Sequence, residues 1–413
     1  MGNAIERFPN PYRAGAGHSP PHLAGRQAEV DEFRQFLQQE EITKNVVLTG
    51  LRGVGKTVLM DDRYRPTAID EKWVWVGSDF SESAFLTEDN LSLRIITDLS
   101  VFSTHLTIAR RSDGFGFTTT QDDRASLDFD FLNKVYLSTP GLTADKLKAV
   151  LSIVWGAAKE HGIRGIVFAY DEAQVVTDHK DKSEYPLAVL LETFQSLQRK
   201  GCKLMLLLTG LPTVFPRLVE ARTYAERMFT VQEIGRLQPE ASREAIEKPL
   251  EDHTWQFSPS SVDTIIRVAD GYPYFIQFIC KQSFDYLQAN PGEAAIPIEP
   301  IIRQLDANFF SARWETLSDR QREFLYCIAL CPTADDEFAI PEIVNASQGL
   351  GEDQIKRFTP GDVSQMIPRM IERGFIYNNR RGKYSFAVPL FGAFIKRTMD
   401  RRKGMKQKTL FGE

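Results

Sequence analysis

Hydrophobic positions fall into two rhythms. In the first 240 residues, short apolar runs rich in β-branched and aromatic residues alternate with stretches in which apolar positions return every three or four residues. Residues 45–49 (NVVLT), 73–76 (WVWV), 166–170 (IVFAY) and 203–208 (KLMLLL) read as buried strands, and 229–234 as a fifth. Between them lie helical patterns, notably at 143–161 and 187–200. Before the first strand, Val30, Phe33 and Leu37 recur at helical spacing. Strand and helix alternating in this way predict an α/β fold, a five-stranded parallel sheet covered on both faces.

The stretch 79–140 interrupts that rhythm. It holds one amphipathic helix pattern, at 88–102, and then a polar Gly- and Thr-rich piece, 112–124, which reads as a mobile loop inserted between strands. After Leu237 the pattern is all-helical, strongest at 240–250, 258–269 and 273–287. A last unit begins near residue 315. It has helix patterns at 318–331, 341–346 and about 362–373, two short strand patterns (FIYNN and YSFAV) joined by the turn RRGK, and a final helix over 390–403. Three helices and a hairpin are the order of a winged helix-turn-helix. The expected division is an extended Gly- and Pro-rich arm (1–22), an α/β core (23–237, with 79–140 inserted), an all-α lid (238–312), a C-terminal winged-helix domain (313–403) and a flexible tail (404–413).

The 413 residues suit such a multi-part chain, with the 42% apolar and 25% charged composition of ordinary globular proteins. No apolar run approaches the roughly 18 residues that span a bilayer, so no membrane contact is expected. The N-terminus lacks the apolar segment of a secretory signal. Four cysteines, Cys202, Cys280, Cys327 and Cys331, form no CxxC pair, and Cys327 and Cys331 in FLYCIALC read as small core residues rather than metal ligands. A reducing cytoplasm fits them. The net charge of −5 is uneven: residues 354–413 hold 14 Lys and Arg against 4 Asp and Glu, and the rest holds 36 against 51. Such an end is either a surface for a polyanion or a solvated tail.

The sharpest chemical signal is GLRGVGKT, Gly50 to Thr57, a full match to G-x-x-x-x-G-K-[ST] placed between an apolar strand and a helix. Gly50, Gly53 and Gly55 let the chain turn tightly, so that its amides, with those of Val54, Lys56, Thr57 and Val58, face phosphate oxygens. The helix that follows adds its positive dipole end. Lys56 neutralises the β- and γ-phosphates, and the Thr57 hydroxyl ligates Mg²⁺. About 115 residues on, IVFAYDEAQ ends a strand in two carboxylates. Parallel pairing brings that strand end to the same sheet edge. There Asp171 would hold Mg²⁺ through water, and Glu172 would act as general base toward the attacking water. Thr209, ending KLMLLLT, would hydrogen-bond the γ-phosphate or that water. The pattern points to ATP or ADP with Mg²⁺.

These residues resemble the AAA+ and STAND ATPases. LAGRQAEVDEF is similar to that superfamily's N-terminal box, which implies that Gly25 and Arg26 lie by the adenine. DGYPYFIQ resembles the Gly-x-Pro segment of a helical lid, which implies that Gly271 and Pro273 border the base. With the winged helix, the resemblance extends to origin-recognition and cell-division-control ATPases over about 23–395. One departure is plain: the lid segment lacks the arginine that many relatives use as a second sensor. The resemblance also implies a slow hydrolase that a second subunit completes. Arg222 and Arg227 lie where such proteins keep an arginine acting on a neighbour in a homo-oligomer, though a surface role is equally open.

At the basic end, Arg369 and Arg373 on the third helix and Arg380, Arg381 and Lys383 on the wing could contact DNA. Pro368 inside that helix counts against it, since proline breaks or kinks helices. Gln407, Leu410 and Phe411 fit Q-x-x-L-F, similar to peptides that dock on sliding clamps. Two functions remain open. One is a nucleotide switch that positions a DNA-binding winged helix. The other is a STAND-type signalling or defence ATPase whose winged helix contacts protein or holds the lid shut.

Overall fold

The computed structural model describes residues 9–15, 17–80, 87–109, 124–253, 255–334, 336–351 and 355–411, with side chains as far as Arg401 except at Ala109 and Arg124. The chain forms two compact units. An α/β unit takes residues 26–50 and 56–234, and a helical unit takes 1–25, 51–55 and 235–413.

In the α/β unit the strands are β1 (Asn45–Thr49), β2 (Trp73–Val76), β3 (Thr107–Ala109), β4 (Arg124–Ser126), β5 (Gly165–Tyr170), β6 (Leu204–Gly210) and β7 (Phe229–Glu233). Five of them make one parallel sheet in the order β2-β5-β6-β1-β7. Every residue of β1, β5 and β6 is buried. Unbroken apolar runs suit central parallel strands, which have helices on both faces and no solvated side. The five strands are those the sequence predicts.

The inserted stretch is more structured than its sequence suggests. Helix Glu88–Ser103 is capped by Thr87, whose side chain accepts from the Asn90 amide. Its Leu91, Ile95, Ile96 and Leu99 are fully buried. They join a core with Leu132 and Tyr136 of helix Phe129–Ser138 and Leu147, Val150, Leu151 and Val154 of helix Thr143–Glu160. Each such side chain contributes about 1.5–3 kcal/mol of burial, so the insertion is a packed layer. β3 and β4 pair antiparallel within it. The piece expected as a mobile loop lies outside the described residues except for Arg124.

The helical unit contains helices Pro239–Glu247, Pro259–Ala269 and Pro273–Ala289, each with proline in the first turn, where its missing N–H costs nothing. A helix the sequence reading missed follows. It runs from Ile298 through a π-helical turn, Asp306–Ser311, to Glu315. It crosses the expected boundary at 313. Asp306, buried, accepts two bonds from Arg397 at 3.1 and 2.6 Å. Phe309 packs on Tyr274 and Phe275, while Phe310 and Trp314 pack on Phe391 and Phe394.

Helices Asp319–Ala329, Ile340–Gln348 and Pro360–Glu372 come next, then the antiparallel strands β8 (Ile376–Arg380) and β9 (Lys383–Phe386). Pro368 does not interrupt its helix; it occupies an exposed position. The last helix, Phe391–Phe411, continues beyond the expected stop at residue 403, so the expected tail is helical to residue 411. The side chains of Gln407, Leu410 and Phe411 lie outside the described ones. The arm has neither helix nor strand from residue 9 to 25, apart from the undescribed Ala16. It is nonetheless anchored: Tyr12 is buried against Phe257 and Phe284, and its hydroxyl donates to the Ile246 carbonyl at 2.5 Å. Cys280, Cys327 and Cys331 are buried and unbridged. Among the described residues, no helix is long and apolar enough to cross a membrane.

Candidate nucleotide site

The register of the sheet decides which side chains meet. β5 pairs with β6 up to Tyr170 beside Leu208, and β6 pairs with β1 so that Thr209 lies beside Leu48 and Gly210 beside Thr49. Three strand ends therefore reach one edge together: Gly50 after β1, Asp171 after β5 and Thr209 near the end of β6. The Gly50 amide donates to the Gly210 carbonyl at 3.2 Å, which fixes the start of the loop.

Asp171 is the hub of this edge. It is 4% exposed. One carboxylate oxygen accepts from the Thr57 hydroxyl. The other accepts from the Thr209 hydroxyl and, at 2.7 Å, from the Glu172 amide. Lys56 is nearly buried at 9% exposed, and its ammonium donates to the Gly50 carbonyl at 3.0 Å. A buried carboxylate needs donors or a cation to offset lost hydration. Here two hydroxyls and one amide do so. This oxygen-rich set fits a hard divalent ion such as Mg²⁺, which takes one or two protein oxygens and keeps several waters.

Glu172 stands beside this hub but is exposed, with φ at +53°. Its carboxylate accepts from Gln174, whose own carbonyl accepts from the Leu211 amide at 3.1 Å. Two further carboxylates, missed in the sequence, belong to the same edge. Asp79 follows β2 and forms a parallel bridge with Asp171. Asp61 lies one helical turn beyond Thr57. Burial, opposed by Arg65, raises its pKa, and Asp171, Asp62 and Asp79 raise it further. The signal available was position: one acid four residues past Thr57, another just past a predicted strand.

In the helical unit, the loop 51–55 meets the start of helix Pro273–Ala289. The Tyr274 amide donates to the Gly53 carbonyl at 3.3 Å. Gly53 and Gly55 have φ of +80° and +90°, open to glycine and strained for other residues. Val54 is buried. Gly25 and Gly271 both close on Leu237: a Cβ on Gly25 would stand 3.6 Å from the Leu237 side chain, and one on Gly271 2.4 Å from its carbonyl oxygen. Pro273 begins the helix. The sequence-predicted base-side residues Gly25, Gly271 and Pro273 thus belong to one unit with the loop. Arg26 belongs to the α/β unit, where burial lowers its pKa and Glu29 pairs with it at 3.5 Å.

Arg222 donates to the Ala221 carbonyl and approaches Glu192 at 3.9 Å; Arg227 is exposed. The basic end is less free than its sequence suggests. Arg373 donates to Gln321 and to Thr316 at 2.7–2.9 Å. Arg380 pairs with Glu337, and Lys383 with Glu342 at 3.4 Å. Arg369 and Arg381 are exposed and have no side-chain partner among the described residues.

The parallel sheet, the glycine loop after β1 and the acid at the end of β5, one strand removed from β1, define the P-loop nucleoside triphosphatase fold. Solved structures agree. The chain is similar to a Walker-type ATPase of Pyrococcus abyssi at 15% identity, with 91% of this chain and 96% of that one covered and a TM-score of 0.58. It is similar to the ADP form of the ORC2 protein of Aeropyrum pernix at 15% identity, with 93% and 96% covered and a TM-score of 0.52. The ADPNP-ADP complexes of ORC2 give 13%, 94%, 97% and 0.51. A family model described as a domain of unknown function (DUF8462) matches residues 307–395. No curated protein sequence matches the chain.

Proposed function

We propose that this chain binds ATP with Mg²⁺, hydrolyses it slowly, and uses the nucleotide state to position a C-terminal DNA-contacting winged helix. The observation that carries the nucleotide reading is Asp171, buried and joined to both Thr57 and Thr209 beside Lys56. In that reading Thr57 and Asp171 hold the ion, which offsets charge on the β- and γ-phosphates. Lys56 exchanges the Gly50 carbonyl for phosphate oxygens. Thr209 turns its hydroxyl to the γ-phosphate or the water. Glu172 takes the proton of the water that attacks the γ-phosphorus, and ADP leaves with the β-γ bridging oxygen. Gly25, Arg26, Gly271 and Pro273 border the base. Arg222 or Arg227 serves a second subunit.

Arg369 and Arg381 are the cations ready for phosphate. Arg380 and Lys383 can join them, because exposed ion pairs contribute only about 0–1 kcal/mol and exchange readily. The internal pairing of Arg373, Arg380 and Lys383 favours the second reading, a signalling ATPase whose C-terminal module contacts protein. A gel shift with ATP, ADP and no nucleotide across a salt series separates the two, since DNA contact weakens steeply with salt. Beside it, Glu172→Gln is expected to bind ATP normally and to lose turnover by about 10²–10⁴-fold. Turnover at the wild-type rate would remove Glu172 from the role of base.

A further inference from the structure

The inserted layer is joined to the strand that carries Asp171. β2 pairs with β5 as far as Val76 beside Phe168, and three residues later Asp79 stands beside Asp171, so the chain past β2 keeps its register. The approach is close: Gly77 has φ of +128°, and a Cβ there would lie 1.9 Å from the Ala169 carbonyl oxygen. Both backbone groups of Asp171 are held by this segment. The Asp171 amide donates to the Ser78 carbonyl at 3.3 Å, and its carbonyl accepts from the Phe80 amide at 3.1 Å. The Phe80 ring stacks on that of Tyr170, the residue before Asp171, with centroids 4.3 Å apart.

Helix Glu88–Ser103 grips the same segment. Arg94 donates to the Asp98 carboxylate at 3.0 Å and to the Ser78 hydroxyl, and that hydroxyl donates to Asp98 at 3.4 Å. The Asp98 side chain is only 14% exposed. Its charge also acts on the fully buried Tyr170 hydroxyl: burial first, and Asp98 second, raise the Tyr170 pKa. One carboxylate of the insertion thus acts on two neighbours of Asp171, the residue before it and the residue whose carbonyl takes its amide. An exposed ion pair one helical turn apart contributes little. This pair is shielded, and it ends at the backbone that aims the hub acid. Groups that orient a metal's ligands tune its affinity along with the ligands themselves. We propose that Asp98 and Arg94 are positioning residues: through Ser78 they fix the Asp171 backbone, keep its carboxylate aimed at Thr57 and Thr209, and so set how strongly the divalent ion is held. The proposal rests on the nucleotide reading above.

The test titrates ATP, in Mg²⁺ and in EDTA, into wild-type protein, Asp98→Ala, Asp98→Asn, Arg94→Ala and, as a control, Tyr136→Phe. Tyr136→Phe removes a 2.7 Å bond to Asp89 on the same helix and leaves Asp98 alone. The readout is the gain in ATP affinity that Mg²⁺ gives. For Asp98→Ala and Arg94→Ala that gain should shrink at least about tenfold, the usual effect of losing a group that orients a metal ligand, while affinity in EDTA stays within about twofold. Asp98→Asn, which keeps one acceptor oxygen, should recover part of the gain. Tyr136→Phe should keep all of it, even with a lower melting temperature. An unchanged gain in Asp98→Ala and Arg94→Ala, an equal loss with and without Mg²⁺, or the same loss in Tyr136→Phe would each overturn the proposal. Should Asp98→Ala fail to fold, Asp98→Asn and Arg94→Ala decide, the Arg94 side chain being 41% exposed. Wild-type protein that binds no ATP, or binds it without help from Mg²⁺, would sink the site reading itself, an outcome distinct from a wild-type gain with indifferent variants.

Discussion

At the scale of single residues, the site gathers more negative charge than the loop motif suggests. Asp61, Asp79, Asp171 and Glu172 share one sheet edge, and Asp61 bears the cost. Its folded pKa is raised, chiefly by burial and then by neighbouring carboxylates, in spite of Arg65. A raised carboxyl is favoured protonated in the fold, so its ionised form destabilises above the unfolded-state pKa, and that penalty fades as pH falls into the carboxylate range. Asp61→Asn is therefore expected to raise the melting temperature in EDTA at pH 7–8, with the gap closing in acid. No gap at pH 8 would show that Asp61 escapes its neighbours' field. Neither Asp61 nor Asp79 was legible as a site residue, because only the folded sheet edge brings them to Asp171. The loop itself was legible, since its chemistry lies in eight consecutive residues.

Elements were legible where their packing is local. β1, β5 and β6 are mostly apolar and buried throughout, and burial between two helical layers explains their apolar stretches. The helix Ile298–Glu315 was missed for a physical reason. Ile298, Ile301, Ile302 and Leu305 follow a helical rhythm, but the π-helical turn at Asp306–Ser311 shifts the phase by one residue, and its buried Asp306 breaks the apolar face. The partner that makes this tolerable, Arg397, lies 91 residues away. At the start of helix Pro273–Ala289 the backbone itself is specific. Gly271 has φ of +71°, and an added Cβ would meet the Leu237 carbonyl oxygen at 2.4 Å. Gly271→Ala is expected to lose at least about 1–2 kcal/mol from the left-handed conformation alone, measured as a lower urea midpoint at unchanged m-value. An unchanged midpoint would mean that this turn relaxes without cost.

At the scale of the whole molecule, charge counting overstates how many C-terminal cations are free to meet a polyanion. The sequence offered five cations on the third helix and wing, but Arg373 is spent on Thr316 and Gln321, 57 and 52 residues away. Pairings so distant cannot be seen in a charge profile. In a DNA-binding assay, Arg369→Ala and Arg381→Ala should each flatten the slope of log affinity against log salt by about 1. Arg373→Ala should leave the slope alone and lower the melting temperature. The reverse pattern would move the interface off the wing.

The continuous helix from Ile298 to Glu315 also governs how the gene can be divided. One of its faces carries Phe309 against Tyr274 of helix Pro273–Ala289, and another carries Phe310 and Trp314 against the terminal helix. A fragment begun at residue 313 would cut away Asp306 and strand Arg397, and one begun at 307 would do the same. A cut in the exposed turn between Asn290 and Pro297 keeps ion pair and aromatic seam in a single piece.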